Sequence, residues 1–284
     1  MRRAGQISAG AHIRAMQTSA RMLRDGQEVR EYHLEAELLH EFRRHGAQSP
    51  AYTSIVAAGA NACVLHYRAD TALVRPGELV LIDAGCELDG YASDITRTFP
   101  ANGIFTGPQR ALYELVLASQ HAAVAATRAG ARFTDPHEAS VAVLAQGMLD
   151  LGLLDKHKVG TLQDVIEKRA YFQFYMHRTG HWLGRDVHDC GAYTEPSELG
   201  QSSVRKDALT GQPIVDRPAR ILRPGMVLTI EPGMYVRPAP GVPEQFHHIG
   251  IRIEDDAIVT EKGCELISRG VPVEPDAIEA LMRA

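Results

Sequence analysis

The stretch LIDAGCELDGYASDITRTF, residues 81–99, decides the fold of this chain. An apolar, β-prone run ends at Asp83, and a second β-prone run begins directly after Asp94. The odd spacing of these two aspartates would place them on opposite faces of one continuous strand. Asp89 and Gly90 lie between them and form a pair typical of a two-residue hairpin turn. We therefore predict a hairpin that presents both carboxylates to the same side.

Three later segments also contain side chains of the types that can bind metal ions. His181 lies in HRTGHWLGRDVHD, residues 177–189. Glu231 ends an apolar run just before a Pro-Gly pair, and an unpaired acid buried there would cost several kcal/mol, so a cation is expected. Glu254 follows the alternating segment GIRI, which places Arg252 and Glu254 on one strand face.

Together these side chains suit hard divalent ions. Ions of the manganese type prefer carboxylate oxygens with an occasional imidazole. Four carboxylates balance the charge of two such ions, and two ions roughly 3.5–4 Å apart can activate one shared water. The sequence therefore predicts a hydrolytic centre with two metal ions, whose ligands are Asp83, Asp94, His181, Glu231 and Glu254.

Each residue also has a simpler interpretation when taken alone. His177 and His181 have the spacing of a helical zinc pair, but the intervening Arg-Thr-Gly lacks the required glutamate and disfavours a helix. Glu254 could form an ordinary cross-sheet ion pair. His66, at the end of ACVLHY, could approach a substrate or be purely structural.

Composition indicates a soluble globular protein. The 284 residues are 45% hydrophobic and 23% charged, with a formal net charge of -5, so neither nucleic acid nor an anionic membrane is an expected partner. We find no signal peptide and no apolar run long enough to span a membrane, and we expect a cytoplasmic location. Four scattered cysteines predict reduced and mostly buried thiols.

The order of the predicted elements indicates an α+β fold with one curved, largely antiparallel sheet. A helix is expected to begin at Asp135-Pro136, with Asp135 as its cap and Glu138 completing a capping box. Helices are predicted in 6–25, in 32–45, after Gly107-Pro108, from Asp135 and in 275–284. Strands are predicted in TSIVAAG, ACVLHY, ELVLIDAG, MVLTIEPGMYV, GIRIEDDAIVT and CELIS. Segment 195–220 is predicted to be a long loop or a hairpin.

Five motifs resemble the catalytic domain of bacterial Xaa-Pro aminopeptidase, also called aminopeptidase P. They are GxNAxxLHY, LIDAGCELDGYASDITRTFP, HxxxHWLGxDVHD, PGMVLTIEPGMY and GIRIEDD, and they occur in the family's order. The resemblance implies the pita-bread fold with two divalent ions, normally Mn²⁺. It also implies that residues 1–284 form a single catalytic domain, and that the N-terminal non-catalytic domain usual in the family is absent.

The resemblance assigns a role to each site residue. Asp83 would bind one metal, Asp94 and Glu254 would bridge both, and His181 with Glu231 would bind the second. The residues implied to line the substrate site or support it are His66, His177, His188, Tyr235 and Arg252.

The implied reaction removes the N-terminal residue from peptides whose second residue is proline. A hydroxide shared by the two metals attacks the carbonyl, and His188 stabilises the oxyanion. Glu231 passes a proton to the leaving nitrogen, and His66 also belongs to the catalytic group. Two alternatives stay open, namely a prolidase that cleaves only Xaa-Pro dipeptides and a pita-bread binding module without catalysis.

The chain departs from the family pattern at the edges of the site. HRTGH and FHHIG replace the more usual HGLSH and YRGIG, and the segment 195–220 is longer than expected. Because the family's N-terminal domain is expected to be absent, the oligomeric state stays open, and a homo-oligomer is one possibility. These departures leave all of the implied metal ligands in place.

Overall fold

The computed structural model describes residues 1–207 and 210–284 and has an α+β architecture. Its helices are α1 (Arg2–Arg24), α2 (Glu31–Arg44), α3 (Gly107–Ala126), α4 (Asp135–Asp150), α5 (Lys156–Val159), α6 (Leu162–Glu167) and α7 (Pro275–Arg283). Its strands are β1 (Ser49–Pro50), β2 (Ile55–Ala58), β3 (Leu79–Asp83), β4 (Cys86–Leu88), β5 (Tyr91–Ala92), β6 (Thr96–Pro100), β7 (Ser203–Lys206), β8 (Pro213–Asp216), β9 (Val227–Ile230), β10 (Gly233–Val236), β11 (Ile249–Arg252), β12 (Asp255–Val259) and β13 (Cys264–Leu266).

The predicted turn at Asp89-Gly90 is confirmed. Both residues have positive φ, 53° and 76°, and Leu88 pairs with Tyr91 across the turn. That conformation suits the twist of a tight hairpin. The turn brings the chain back so that β6 pairs with β3 in antiparallel register.

The strands do not form one continuous sheet, and that prediction is corrected. Every strand pairing in the described ranges is antiparallel, but the ladders divide into five separate groups. Pro232, which has no N–H to donate, separates β9 from β10, and Ile253 with Glu254 separates β11 from β12. The groups remain joined by single bonds, such as the one that the Glu254 N–H donates to the Thr96 carbonyl at 3.1 Å.

ACVLHY is not a strand. Residues Gly59–Cys63 form a 3₁₀ helix, and His66 lies in the turn that follows. Gly59 has φ 54°, a left-handed conformation that favours glycine. The helix packs so closely on β11 that a Cβ atom at Gly250 would lie 2.3 Å from the Ala62 carbonyl oxygen. This backbone contact requires the glycine, and apolar alternation alone does not reveal it.

Helices α1 and α2 pack against each other, as do α3 and α4. Thr106 and Gln109 form a reciprocal capping box at the start of α3. The predicted cap of α4 is wrong. Asp135 is the first helical residue, and its Oδ2 accepts a bond from the backbone N–H of Arg132 at 2.9 Å instead of capping the helix.

The main apolar core joins both ends of the chain, because Ala4 of α1 and Met282 of α7 belong to it. All four cysteines are free, but only Cys63 and Cys86 are buried, so the expectation of mostly buried thiols is half right. In the described part of the chain, no helix has both the length and the apolar character needed to cross a bilayer.

Segment 195–220 is the predicted hairpin excursion. A short 3₁₀ turn at Pro196–Gln201 precedes β7, which pairs with β8. The base of the excursion is closed by a bridge between Thr194 and Ala219 and by the bond from the Glu195 N–H to the Pro218 carbonyl, 2.9 Å. The hairpin is therefore anchored at its base beside the site described next.

Candidate metal centre

The predicted ligands lie where strands end or break. Asp83 is the last residue of β3, Asp94 comes just before β6, and Glu231 directly follows β9. Glu254 occupies the gap between β11 and β12, and His181 lies on the loop that pairs with β9 through the Trp182–Leu228 bridge. A strand end fixes the backbone while freeing the side chain from the ladder, so these positions can converge.

Three of the five predicted ligands form a compact group. Asp94, His181 and Glu254 each offer one ligand atom, and these atoms lie within 4.8 Å of one another. Glu231 joins them, because its Oε1 lies 3.7 Å from Nε2 of His181. Asp83 is connected to this group by Tyr52, whose hydroxyl lies 2.6 Å from Oδ1 of Asp83 and 2.5 Å from Oδ1 of Asp94.

The orientation of His181 suits a metal ligand. Its Nδ1 lies 3.0 Å from the Trp182 carbonyl oxygen, which can only accept, so Nδ1 carries a proton. Nε2 is then directed at the carboxylates, 3.5 Å from Oδ2 of Asp94. A backbone carbonyl that fixes the histidine tautomer in this way is usual at metal sites.

Burial disfavours ionisation of three of these acids, Asp94, Glu231 and Glu254. Burial raises the pKa of Glu231 to about 7 and that of Glu254 well above its usual range. Burial and the Asp83 carboxylate raise the pKa of Asp94. Burial opposes protonation of His181, but Asp94 and Glu231 outweigh it and raise its pKa to about 9. A buried, oxygen-rich group of this charge fits divalent ions of the Mn²⁺ class.

We predict that metal binding releases protons. His181 is protonated at pH 7 without metal, because its pKa is about 9, and it must lose that proton to act as a ligand. Glu231, with a pKa of about 7, contributes a further fraction of a proton. Titration calorimetry with Mn²⁺ at pH 7 in buffers of different ionisation enthalpy should give at least about one proton released. Identical heats in all buffers would contradict this protonation state.

Three supporting residues were not assigned roles from the sequence. Besides the Tyr52 hydroxyl, the Thr96 hydroxyl donates to Oε2 of Glu254 at 2.6 Å, and Asp256 accepts the Asp94 backbone N–H at 3.2 Å. Thr96 and Asp256 lie inside DITRTF and IEDD, so the motifs contained them without indicating what they contact. Tyr52 lies outside every motif, and only the fold brings it to the centre.

We predict that Thr96→Val weakens metal binding by about 10- to 100-fold, because it removes the hydrogen bond that orients Glu254 and the one that Thr96 accepts from Arg252, while keeping the side-chain shape. The measurement is Mn²⁺ affinity by calorimetry. The matched control is Thr127→Val, a buried threonine whose hydroxyl bonds the Ala123 carbonyl away from the centre. Equal metal affinity in the two variants would show that Thr96 does not position Glu254.

A series of hydrogen bonds lies beside the acids of the centre. Arg252 donates to Oδ2 of Asp83 at 2.5 Å and to the Tyr235 hydroxyl at 3.0 Å. Nδ1 of His177 donates to the Arg178 carbonyl at 2.7 Å, so its Nε2 accepts from the Tyr235 hydroxyl at 2.9 Å. Burial lowers the pKa of His177 to about 3 and keeps it neutral. This series of hydrogen bonds holds Arg252 between Asp83 and the Tyr235–His177 pair.

One cavity of about 1120 Å³ contains the centre. The five predicted ligands line it, and so do His66, His177, His188 and Arg252. Tyr235 does not line it but contacts it through His177. The His188 ring lies 4.4 Å from the His181 ring, edge to face, and burial lowers its pKa. The structure thus brings every predicted site residue to this cavity or its wall.

The fold and the site define an α+β protein with a carboxylate-rich metal centre suited to hydrolysis. The pattern of metallopeptidase family M24 matches residues 1–261, and the chain belongs to that family.

Similar proteins span the whole chain. The chain is 46% identical to the Xaa-Pro aminopeptidase of Escherichia coli strain K12, over 100% of this chain and 57% of that protein. The Haemophilus influenzae Xaa-Pro aminopeptidase is 45% identical over 99% of this chain and 58% of its own length. The structure of Pseudomonas aeruginosa aminopeptidase PepP is 48% identical, with a TM-score of 0.87 over 100% of this chain and 57% of that one. This chain therefore spans just over half the length of these relatives.

Proposed function

We propose that this chain is a dinuclear metalloaminopeptidase that removes the N-terminal residue from peptides with proline at the second position. The observation that carries the proposal is the convergence of five ligands, Asp83, Asp94, His181, Glu231 and Glu254, at one cavity in an M24 chain. The relatives named Xaa-Pro aminopeptidase support the substrate class.

The ligand set would hold two ions, and we propose Mn²⁺ as the metal. Asp83 would bind one ion, His181 and Glu231 the other, and Asp94 and Glu254 both. Two such ions supply an activated water and polarise the scissile carbonyl. A structure of zinc-substituted Escherichia coli aminopeptidase P shows that this relative also binds zinc.

The surrounding residues would bind and orient the peptide. The free amine is drawn toward Asp83 and the buried acids, which explains cleavage at the N-terminus alone. Neutral His177, fixed by the Tyr235 hydroxyl, offers an uncharged polar wall, and Arg252 holds Asp83 in place. His66 and His188 lie at the cavity wall where the peptide carbonyl would be oriented.

Glu231 is the proposed proton carrier. Its carboxylate lies at the cavity wall, 3.7 Å from Nε2 of His181. A carboxylate at this position can accept a proton from the attacking water and return it to the leaving proline nitrogen.

The test is hydrolysis of Xaa-Pro-Xaa tripeptides by the metal-loaded 284-residue chain, followed by chromatography of the products. We expect release of the first residue and of a Pro-Xaa dipeptide. Cleavage of the Xaa-Pro dipeptide alone would establish the prolidase alternative. Binding of two Mn²⁺ ions without hydrolysis of either peptide would favour the binding module.

A further inference from the structure

The excursion that closes at Thr194 and Ala219 forms part of the wall of the metal cavity. The residues that it and its base contribute to the lining are Tyr193, Thr194, Arg205, Ile214, Val215, Asp216, Arg217 and Ala219. Backbone bonds tie this segment down on both sides of Arg217, because β8 pairs with β7 and the Pro218 carbonyl accepts from the Glu195 N–H at 2.9 Å. Arg217 is thus held at the cavity.

Most arginines around the hairpin are neutralised by acids. Arg205 pairs with Asp216. The other ion pairs are Arg169 with Asp207 at 2.9 Å, Arg220 with Glu195 at 3.6 Å and Arg223 with Glu195 at 3.1 Å.

Arg178 and Arg217 differ from these arginines. Both line the cavity and both are exposed. Within residues 1–207 and 210–284, neither guanidinium has a carboxylate within 4.0 Å. The wall therefore carries two cations whose charge no acid in the described ranges pairs.

The cavity has a gradient of charge. The acids of the candidate metal centre, among them buried Asp94 and Glu254, occupy the inner end, and the exposed arginines lie toward the opening. A peptide whose amine is held at the metals must extend outward, so the residues that follow its proline pass the opening. A carboxylate there would meet the guanidinium groups, which suit planar anions.

We propose that Arg178 and Arg217 select peptides that carry a carboxylate on the segment after the proline. This inference rests on the proposed function and adds a substrate preference to it. The carboxylate can be the α-carboxylate of a short peptide or an acidic side chain of a longer one. The chemistry is the same, and the experiment distinguishes the two sources.

The two arginines lie in segments of the sequence that differ from the usual family pattern. Arg178 belongs to HRTGH, which stands where the resemblance implies HGLSH, and Arg217 lies in the segment 195–220 that is longer than the resemblance implies. Both cations thus come from segments that depart from the usual pattern, whereas the metal ligands follow it.

The experiment compares kcat/KM for four peptides with the Mn²⁺-loaded chain. They are Ala-Pro-Ala as the free acid, Ala-Pro-Ala amide, Ala-Pro-Glu amide and Ala-Pro-Gln amide. We expect the wild type to prefer the free acid over its amide, or the Glu over the Gln amide, by about tenfold. The first preference identifies the α-carboxylate and the second an acidic side chain. Exposed ion pairs are weak, so Arg178→Gln and Arg217→Gln should each lower the preference by about two- to fivefold.

Three comparisons make the result specific. Arg217→Lys keeps the charge and should keep most of the preference. Arg185→Gln removes an exposed arginine that does not line the cavity and should change nothing. The preference should also weaken at 0.5 M salt, as screening requires. Equal kcat/KM for each acid and its neutral partner in the wild type, or a preference unchanged in the double variant, would overturn the proposal.

Failure of the proposed function gives a different result. If the wild type cleaves none of the four peptides, the aminopeptidase proposal has failed, and the anion site is judged by calorimetric binding of the same peptides. Tighter binding of the carboxylate-bearing peptides that disappears in the double variant would support the site. Equal binding would overturn it.

Discussion

Glu254→Gln should abolish activity and at the same time stabilise the metal-free protein. The substitution removes one of the proposed bridging carboxylates, and loss of several kcal/mol of transition-state stabilisation corresponds to roughly a thousandfold or more in kcat/KM. Metal content by mass spectrometry should fall in parallel. The Gln amide oxygen can still accept from the Thr96 hydroxyl, so the local structure is retained.

The gain in stability follows from the raised pKa of Glu254. Burial and the nearby acids raise it well above its usual range. Above about pH 4.3 the unfolded chain releases this proton while the metal-free native state holds it, and native stability therefore falls as pH rises. Gln does not titrate. The metal-free variant should therefore match the stability of the metal-free wild type at pH 4 and exceed it at pH 7.5.

The measurement is Tm with a chelator at both pH values. A gain of about 1 kcal/mol would raise Tm by about 2–4 °C in a chain of this size. Added Mn²⁺ should reverse the order, because the wild type binds the metal more tightly and is stabilised more by it. Glu265→Gln, at an exposed residue paired with Arg2, is the control. A metal-free variant that melts below the wild type at pH 7.5 would contradict the interpretation.

Asp255→Asn, one residue further along, should have the opposite effect on stability. Asp255 lies 2.8 Å from Arg97 and 3.0 Å from Arg269, and it also accepts from Gln120 at 2.7 Å. The Arg97 and Asp255 side chains are fully buried. Neutralising the acid leaves a buried guanidinium without its counter-ion, which costs about 3–5 kcal/mol. We expect Tm to fall by roughly 10 °C.

The pH dependence identifies the cause. Arg97 and Arg269 outweigh burial and lower the pKa of Asp255, so its contribution to stability is present above about pH 3.9 and is lost as pH falls through the native pKa. The difference between wild type and variant should therefore shrink in acid. Asp276→Asn breaks an exposed ion pair with Arg110 and should change Tm little.

These adjacent acids show what a motif can predict. The motif IEDD indicated acids at a strand end, and the resemblance assigned Glu254 to the metals. Nothing in the sequence distinguished the roles of Asp255 and Asp256. In the structure, Asp255 points to Arg97 and Asp256 to the Asp94 backbone. That distinction depends on which residues pack against each side of the strand, and those residues come from distant parts of the chain.

The sequence by itself determined the turn at Asp89-Gly90, the antiparallel return of β6 onto β3 and the identity of the five candidate ligands. The turn and the strand pairing follow from local chemistry, namely positive φ in a tight turn and alternation along a strand. The affinity of hard ions for carboxylates indicates four of the ligands, and the family resemblance implies His181. Tertiary structure alone decided that ACVLHY begins in a 3₁₀ helix packed against Gly250 and that the sheet breaks beside the ligands. It also decided that Tyr52 contacts Asp83 and Asp94 and that β7 and β8 line the cavity. The physical reason is that these features depend on close contacts between residues far apart in the chain.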